Sequence, residues 1–105
     1  MEFLETAVFS HAADKLLSDE ERRQLQNLLL RSPFAGALIR NSGGLRKIRF
    51  GTGSSGKRGG VRVIYYPHER NGVVVLLLIY SKSRRDDLTA EQTAQLRALV
   101  VKEFG

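Results

Sequence analysis

Val61-Arg62-Val63-Ile64-Tyr65-Tyr66, then Asn71-Gly72, then Val73-Val74-Val75-Leu76-Leu77-Leu78-Ile79-Tyr80 is the stretch that decides the fold. The first run is β-branched and aromatic. Its alternation predicts a strand with Val61, Val63 and Tyr65 on one face and Arg62, Ile64 and Tyr66 on the other. Asn-Gly between apolar runs is the strongest short-range hairpin signal. The run after it holds no polar residue, which predicts a central strand covered on both faces. Upstream, Leu45 to Phe50 alternates loosely, with Ile48 and Phe50 on one face and Lys47 and Arg49 on the other. Short connections predict that the three strands pair antiparallel.

Helices flank this sheet. Phe3 to Phe9 is a short strand candidate, and Ser10 to Leu17 reads as a short helix with Ser10 as its cap. Ser18-Asp19-Glu20-Glu21 is a capping box whose acids sit at the positive end of the helix dipole. Leu25, Leu28 and Leu29 give that helix an apolar stripe. It ends near Arg31, because Pro33 disfavours helix at Ser32. Thr89-Ala90-Glu91-Gln92 is a second capping box. It opens a C-terminal helix whose Leu96, Leu99, Val100 and Glu103 share a face. The predicted class is α+β: N-terminal helices, a three- to four-stranded mainly antiparallel sheet and a closing C-terminal helix.

The chain has 105 residues, 42% of them hydrophobic, which predicts one domain over 1–105 with one modest core. There is no cysteine, which removes disulfide scaffolds, thiolate metal sites and cysteine nucleophiles. The two histidines, His11 and His68, are far apart in the chain and offer no metal pair. The first residues carry Glu2 and Glu5 instead of the basic stretch of a secretion signal. The longest apolar run, Val73 to Ile79, is far short of the roughly twenty residues of a membrane span. The expectation is a soluble, cytoplasmic protein with no membrane partner, metal or cofactor.

Charge is concentrated. The net charge is +6, yet residues 1–30 carry a net −3, residues 31–62 carry +8 with no acid at all, and residues 63–105 carry +1. A basic block of this kind points to a polyanion. Gly51-Thr52-Gly53-Ser54-Ser55-Gly56 spells a dinucleotide-binding fingerprint, and Gly51 to Lys57 spells most of a phosphate loop. Both chemistries need a helix N-terminus immediately after the glycines, and here a strand follows. A hairpin loop is the better reading, with Lys57 and Arg58 able to track a phosphate backbone. The cations on the strands matter more. Lys47 and Arg49 share a face, Arg62 lies on the next strand, Lys82 follows Tyr80 at spacing two, and Arg84 and Arg85 come just after. If the strands pair, these cations converge, interleaved with Tyr65, Tyr66 and Tyr80 as stacking surfaces for bases.

Gly43-Gly44-Leu45-Arg46-Lys47-Ile48-Arg49, Gly56 to Tyr66, Leu77-Leu78-Ile79-Tyr80-Ser81-Lys82 and Asp86-Asp87-Leu88-Thr89, in that order, resemble the RelE/ParE superfamily of bacterial toxins, and within it the HigB-like branch of RelE-type messenger-RNA interferases. The resemblance implies the toxin of a type II toxin–antitoxin system: an endoribonuclease that enters the ribosomal A site and cuts mRNA without a metal. It also implies a cognate antitoxin, with operator DNA bound only through the antitoxin complex. By the same resemblance Lys47, Arg49, Arg62 and Lys82 are the catalytic residues. Arg46, Lys57, Arg58, Tyr66, Tyr80, Arg84 and Arg85 are the expected RNA contacts, and which of Arg84 and Arg85 faces the site stays open. Arg62 matches the family's strand arginine, which would grip the scissile phosphate through two parallel hydrogen bonds. An ammonium crowded by other cations gives up its proton more readily, so Lys47 is a candidate base. Lys82 is a candidate phosphate ligand or proton donor. Some RelE toxins carry a catalytic tyrosine in the last segment, and this chain has none after Tyr80, which leaves the acid and base assignments open. The antitoxin surface is the basic patch or the helices. Two other classes remain: a ParE-like inhibitor that binds gyrase, and a nucleic-acid-binding domain without catalysis.

Overall fold

The structure, a computed structural model, describes residues 1–51, 60–81 and 88–104. In chain order the elements are strand β1 (Glu2–Glu5), helix α1 (Ala7–Leu16), helix α2 (Asp19–Arg31), strand β2 (Ala37–Leu38), strand β3 (Arg46–Phe50), strand β4 (Val61–His68), strand β5 (Val73–Ser81) and helix α3 (Ala90–Phe104). The strands form one sheet in the order β1-β5-β4-β3-β2. β1 runs parallel to β5, and the other pairs are antiparallel. The α+β class and the three antiparallel strands are as the sequence predicts.

The sheet has five strands instead of three or four, because two short segments extend its edges. β2 is only two residues long and has no run of alternation to announce it. β1 covers Phe3 to Glu5 of the segment read as Phe3 to Phe9, whose remainder forms the cap and first turn of α1. Thr6, not Ser10, caps that helix: its hydroxyl accepts from the Phe9 N–H at 3.0 Å and donates to the Leu77 carbonyl at 2.9 Å. One side chain thus both starts α1 and fastens it to β5. Ser10 lies within the helix and donates to the Glu5 carboxylate at 2.6 Å. The Ser18–Glu21 capping box forms in both directions, as does the Thr89–Gln92 box. A 3-10 turn, Glu69–Asn71, joins β4 to β5, and Gly72 follows in the left-handed region at φ 65°. The turn is longer than a two-residue hairpin, but glycine serves the same end of reversing the chain.

Alternation on β4 sorts the core into two layers. Val61, Val63 and Tyr65 pack with Phe9, Ala13, Leu25 and Leu29 beneath α1 and α2. Ile64 and Tyr66 pack with Leu77, Tyr80, Val100 and Leu96 beneath α3. A register irregularity between Ile64 and Tyr65 leaves this division intact. Leu99, expected on the apolar face of α3, is 38% exposed, at the border between the packed and open sides. Of the described helices, none is long and apolar enough to cross a membrane.

Tyr65 is fully buried, and its hydroxyl holds the connection between α2 and β2. It accepts from the Gly36 N–H at 2.9 Å and donates to the Pro33 carbonyl at 2.8 Å. Burial pushes its pKa up, which keeps it a donor. A Cβ on Gly36 would meet the Lys47 carbonyl at 2.8 Å and the Tyr65 ring at 2.9 Å, so only glycine fits beneath that ring. Tyr65→Phe strands a buried N–H and should lower unfolding free energy by about 1–3 kcal/mol in chemical denaturation.

Arg22 on α2 reaches back to Glu5 on β1 at 2.8 Å and to Asp14 at 2.8 Å. Burial alone would raise the Glu5 pKa, but hydrogen bonds from Arg22 and Ser10 outweigh it and the net shift is downward from 4.5. A carboxylate with a depressed folded pKa stabilises the fold above its unfolded value, and that contribution is lost as pH falls through the folded one. Arg22→Ala should therefore cost about 1 kcal/mol at neutral pH and flatten the loss of stability below pH 4.5, read from thermal unfolding across the acid range.

Candidate functional site

The pairing of β3, β4 and β5 sets Arg49 opposite Arg62, and Arg62 opposite Tyr80. The three form one row across the middle of the sheet, on the face that α3 partly covers. Two residues along, Lys47, Ile64 and Leu78 form the next row of the same face. Neighbouring strands lie about 4.8 Å apart and alternate residues about 7 Å apart along a strand, so Lys47, Arg49 and Arg62 fall within roughly 10 Å of one another at their backbones. The expected convergence of the strand cations holds for these three.

Burial grades along the row. Arg62 is 7% exposed and Tyr80 8%, Lys47 is half-buried and Arg49 is exposed. The topology explains the gradient. β4 has neighbours on both sides, whereas β2 pairs only with Arg46 and Lys47 and leaves the Arg49 end of β3 as an open edge. A guanidinium held in a low-dielectric setting acts on an anion more strongly than one in water. Its planar fork suits two phosphate oxygens. The arrangement offers a fixed positive site that opens toward the uncovered end of β3.

Gly60 sets the start of β4. Its φ is +54°, and a Cβ there would lie 2.3 Å from the Phe50 carbonyl oxygen. Only glycine lets the chain close so tightly on β3 two residues before Arg62. In the sequence, a glycine at the mouth of a β-branched run is the signal for such an approach.

Arg46 stands apart from the other cations. The alternation of β3 turns it to the opposite face, where its guanidinium donates to the Gly36 carbonyl at 2.7 Å and the Phe34 carbonyl at 3.2 Å and lies 5.0 Å from the centre of the Phe34 ring. It braces the segment after α2 and is not part of the cationic face. Tyr65 is buried on that same opposite face and presents no ring to a base. Tyr66 shares the face of Arg62 but lies four residues along β4, where it packs with His68 and Phe104 at ring separations of 5.6 and 6.3 Å. Tyr80 borders Arg62, yet its ring is enclosed by the α3-side core and leaves little surface for stacking. Lys57, Arg58, Lys82, Arg84 and Arg85 lie outside the described residues, as do most of the glycine-rich stretch and the Asp86-Asp87 pair.

The fold and row together are those of a small α+β domain with a cationic sheet face. No family model matches the chain. Among solved structures it is similar to the E. coli toxin RelE, in a free-state mutant with two arginines changed to alanine. The TM-score is 0.58 and the identity 19%, covering 99% of this chain and 97% of that one. The likeness shows that this chain has the RelE fold.

Arg49 and Arg62 face each other directly, and like charges at opposed positions destabilise a sheet. Arg49→Thr, which keeps a β-branched residue, should raise stability by about 0.2–1 kcal/mol, and the gain should shrink in high salt. Equal stability of the two proteins at low ionic strength would show that the row carries no such strain.

Proposed function

We propose that the chain is a type II toxin of the RelE kind, in the HigB-like branch: a ribosome-dependent mRNA endoribonuclease that blocks translation. The observation that supports this most is the row that sets buried Arg62 beside Arg49, with Lys47 on the same face. The RelE fold agrees with it. RNA supplies its own nucleophile. The 2′-hydroxyl attacks the adjacent phosphorus and loses its proton. The bond to the 5′-oxygen of the next nucleotide then breaks, and that oxygen takes up a proton. The products are a 2′,3′-cyclic phosphate and a 5′-hydroxyl end. Negative charge gathers on the phosphate oxygens in the transition state, and preorganised cations are often the largest single source of catalysis. Arg62 would hold those oxygens, Arg49 would add charge from the open edge, and Lys47 would accept the 2′-proton. Lys82 is the proposed donor to the leaving oxygen.

The proposed partners are mRNA in the A site of the ribosome, in the cytoplasm, and a co-encoded antitoxin through which operator DNA is met. No metal is needed in this scheme. Purified protein added to ribosomes translating a defined message should leave cyclic-phosphate ends. Lys47→Ala should cleave at least tenfold more slowly, about 1.4 kcal/mol. Arg62→Ala should lose about a hundredfold or more, on the scale of removing one oxyanion donor. Both should retain the wild-type circular dichroism spectrum. Wild-type rates in both variants would reduce the row to a docking surface. An intact message with inhibited gyrase would favour the ParE-like reading.

A further inference from the structure

The outer side of α3 borders a groove of about 890 Å³ that is separate from the Arg49–Arg62 row. Its charged residues are all cations: Arg40 from the segment after β2, and Arg97 and Lys102 from α3. All three are exposed. Among the described residues, none of the three forms an ion pair. Arg97 is held across the groove against the facing segment. A Cβ on Gly43 would lie 3.0 Å from its Nε and 3.4 Å from its Cγ and Cδ. Gly43 stands at φ +75°, so glycine both permits the turn and leaves room for the arginine stem. Lys102 follows about 7.5 Å further along the helix axis. The rest of the lining mixes apolar surface, from Ile39, Ala94 and Ala98, with the polar Asn41 and Thr93.

We propose that this groove is a binding site for a free nucleoside di- or triphosphate. Arg40, Arg97 and Lys102 would hold the phosphates, the planar fork of each arginine matching two phosphate oxygens. The nucleoside would lie over Ala94 and Ala98, whose short side chains leave the space that a flat ring fills. Asn41 carries an amide, which can both donate to and accept from the edge of a base. The volume falls in the range of small-molecule sites, about 300–1,000 Å³. A nucleic-acid strand fits the groove less well. No aromatic residue lines it, and single strands draw much of their binding energy from stacking successive bases on aromatic rings. Nucleotide binding here stands on the lining of the groove and does not depend on RNA cleavage.

The probes are adenosine and guanosine triphosphate, each titrated with EDTA present into isotope-labelled full-length protein. Salt at about 0.15 M screens loose attraction to a chain of charge +6. Inorganic triphosphate, the free nucleosides and a short single-stranded RNA are the comparisons. At least one nucleotide should bind saturably and one to one, with amide shifts centred on Asn41, Gly43, Ala94 and Ala98. Inorganic triphosphate and the nucleoside alone should each bind at least tenfold more weakly. Arg97→Gln removes a phosphate ligand, and Ala98→Glu sets a carboxylate four residues before Lys102. Each should weaken the nucleotide at least tenfold, equivalent to about 1.4 kcal/mol. Arg62→Ala should bind it as wild type does. The proposal is overturned if neither nucleotide binds, if inorganic triphosphate binds as tightly, or if the shifts centre on Lys47, Arg49 and Arg62. It is also overturned if the RNA, and not a nucleotide, perturbs Ala94 and Ala98.

Discussion

A strand this apolar cannot lie at an edge or leave a face in water, and the run Val73 to Tyr80 within β5 imposes that constraint on the rest of the chain. β4 pairs with one side of β5 and β1 with the other, so the first residues of the chain are drawn in to close an edge near its centre. α1 is fastened to β5 through Thr6 and Leu77, and α3 covers the opposite face through Val100 and Leu96. Each layer exists because β5 needs covering. The sheet's periphery, by contrast, is thin: two residues of β2 protect only half of β3.

That asymmetry makes the site. Alternation on β4 would ordinarily place another aliphatic residue opposite Tyr80. The chain instead places Arg62 there, largely buried, with Arg49 across from it. Two cations opposed across a strand pair weaken the sheet they sit in. A fold would avoid the arrangement if stability were the only demand upon it. Tyr65 and Arg46, on the other face, brace the segment from Pro33 to Gly36. They tie the segment that leads into β2 to the far side of β3 and β4, away from the cationic face.

The features legible in the sequence were those with a local cause. Both capping boxes, the period of α2, the alternation of β3 and β4 and the central place of β5 followed from neighbouring residues alone. The parallel β1 and the two-residue β2 were not legible, because their pairing depends on partners 71 residues away for β1 and 8 to 10 residues away for β2, and not on their own pattern. Arg46 shows the limit for the site. Its charge placed it with Lys47 and Arg49, but strand alternation outranks charge, and one position of offset puts it on the other face. Tyr66 shows a second limit: alternation gives its face, shared with Arg62, but not its packing against His68 and Phe104.

The central claim is that the Arg49–Arg62 row cleaves mRNA during translation. Primer extension on a translated transcript, after induction of the wild-type chain or of Arg62→Ala in bacteria, tests it most directly. The account predicts discrete cuts within translated codons for the wild type. It predicts none for Arg62→Ala, and none in the same transcript once its start codon is removed. Uncut messages in cells arrested by the wild-type chain would contradict it, as would the same cuts from Arg62→Ala.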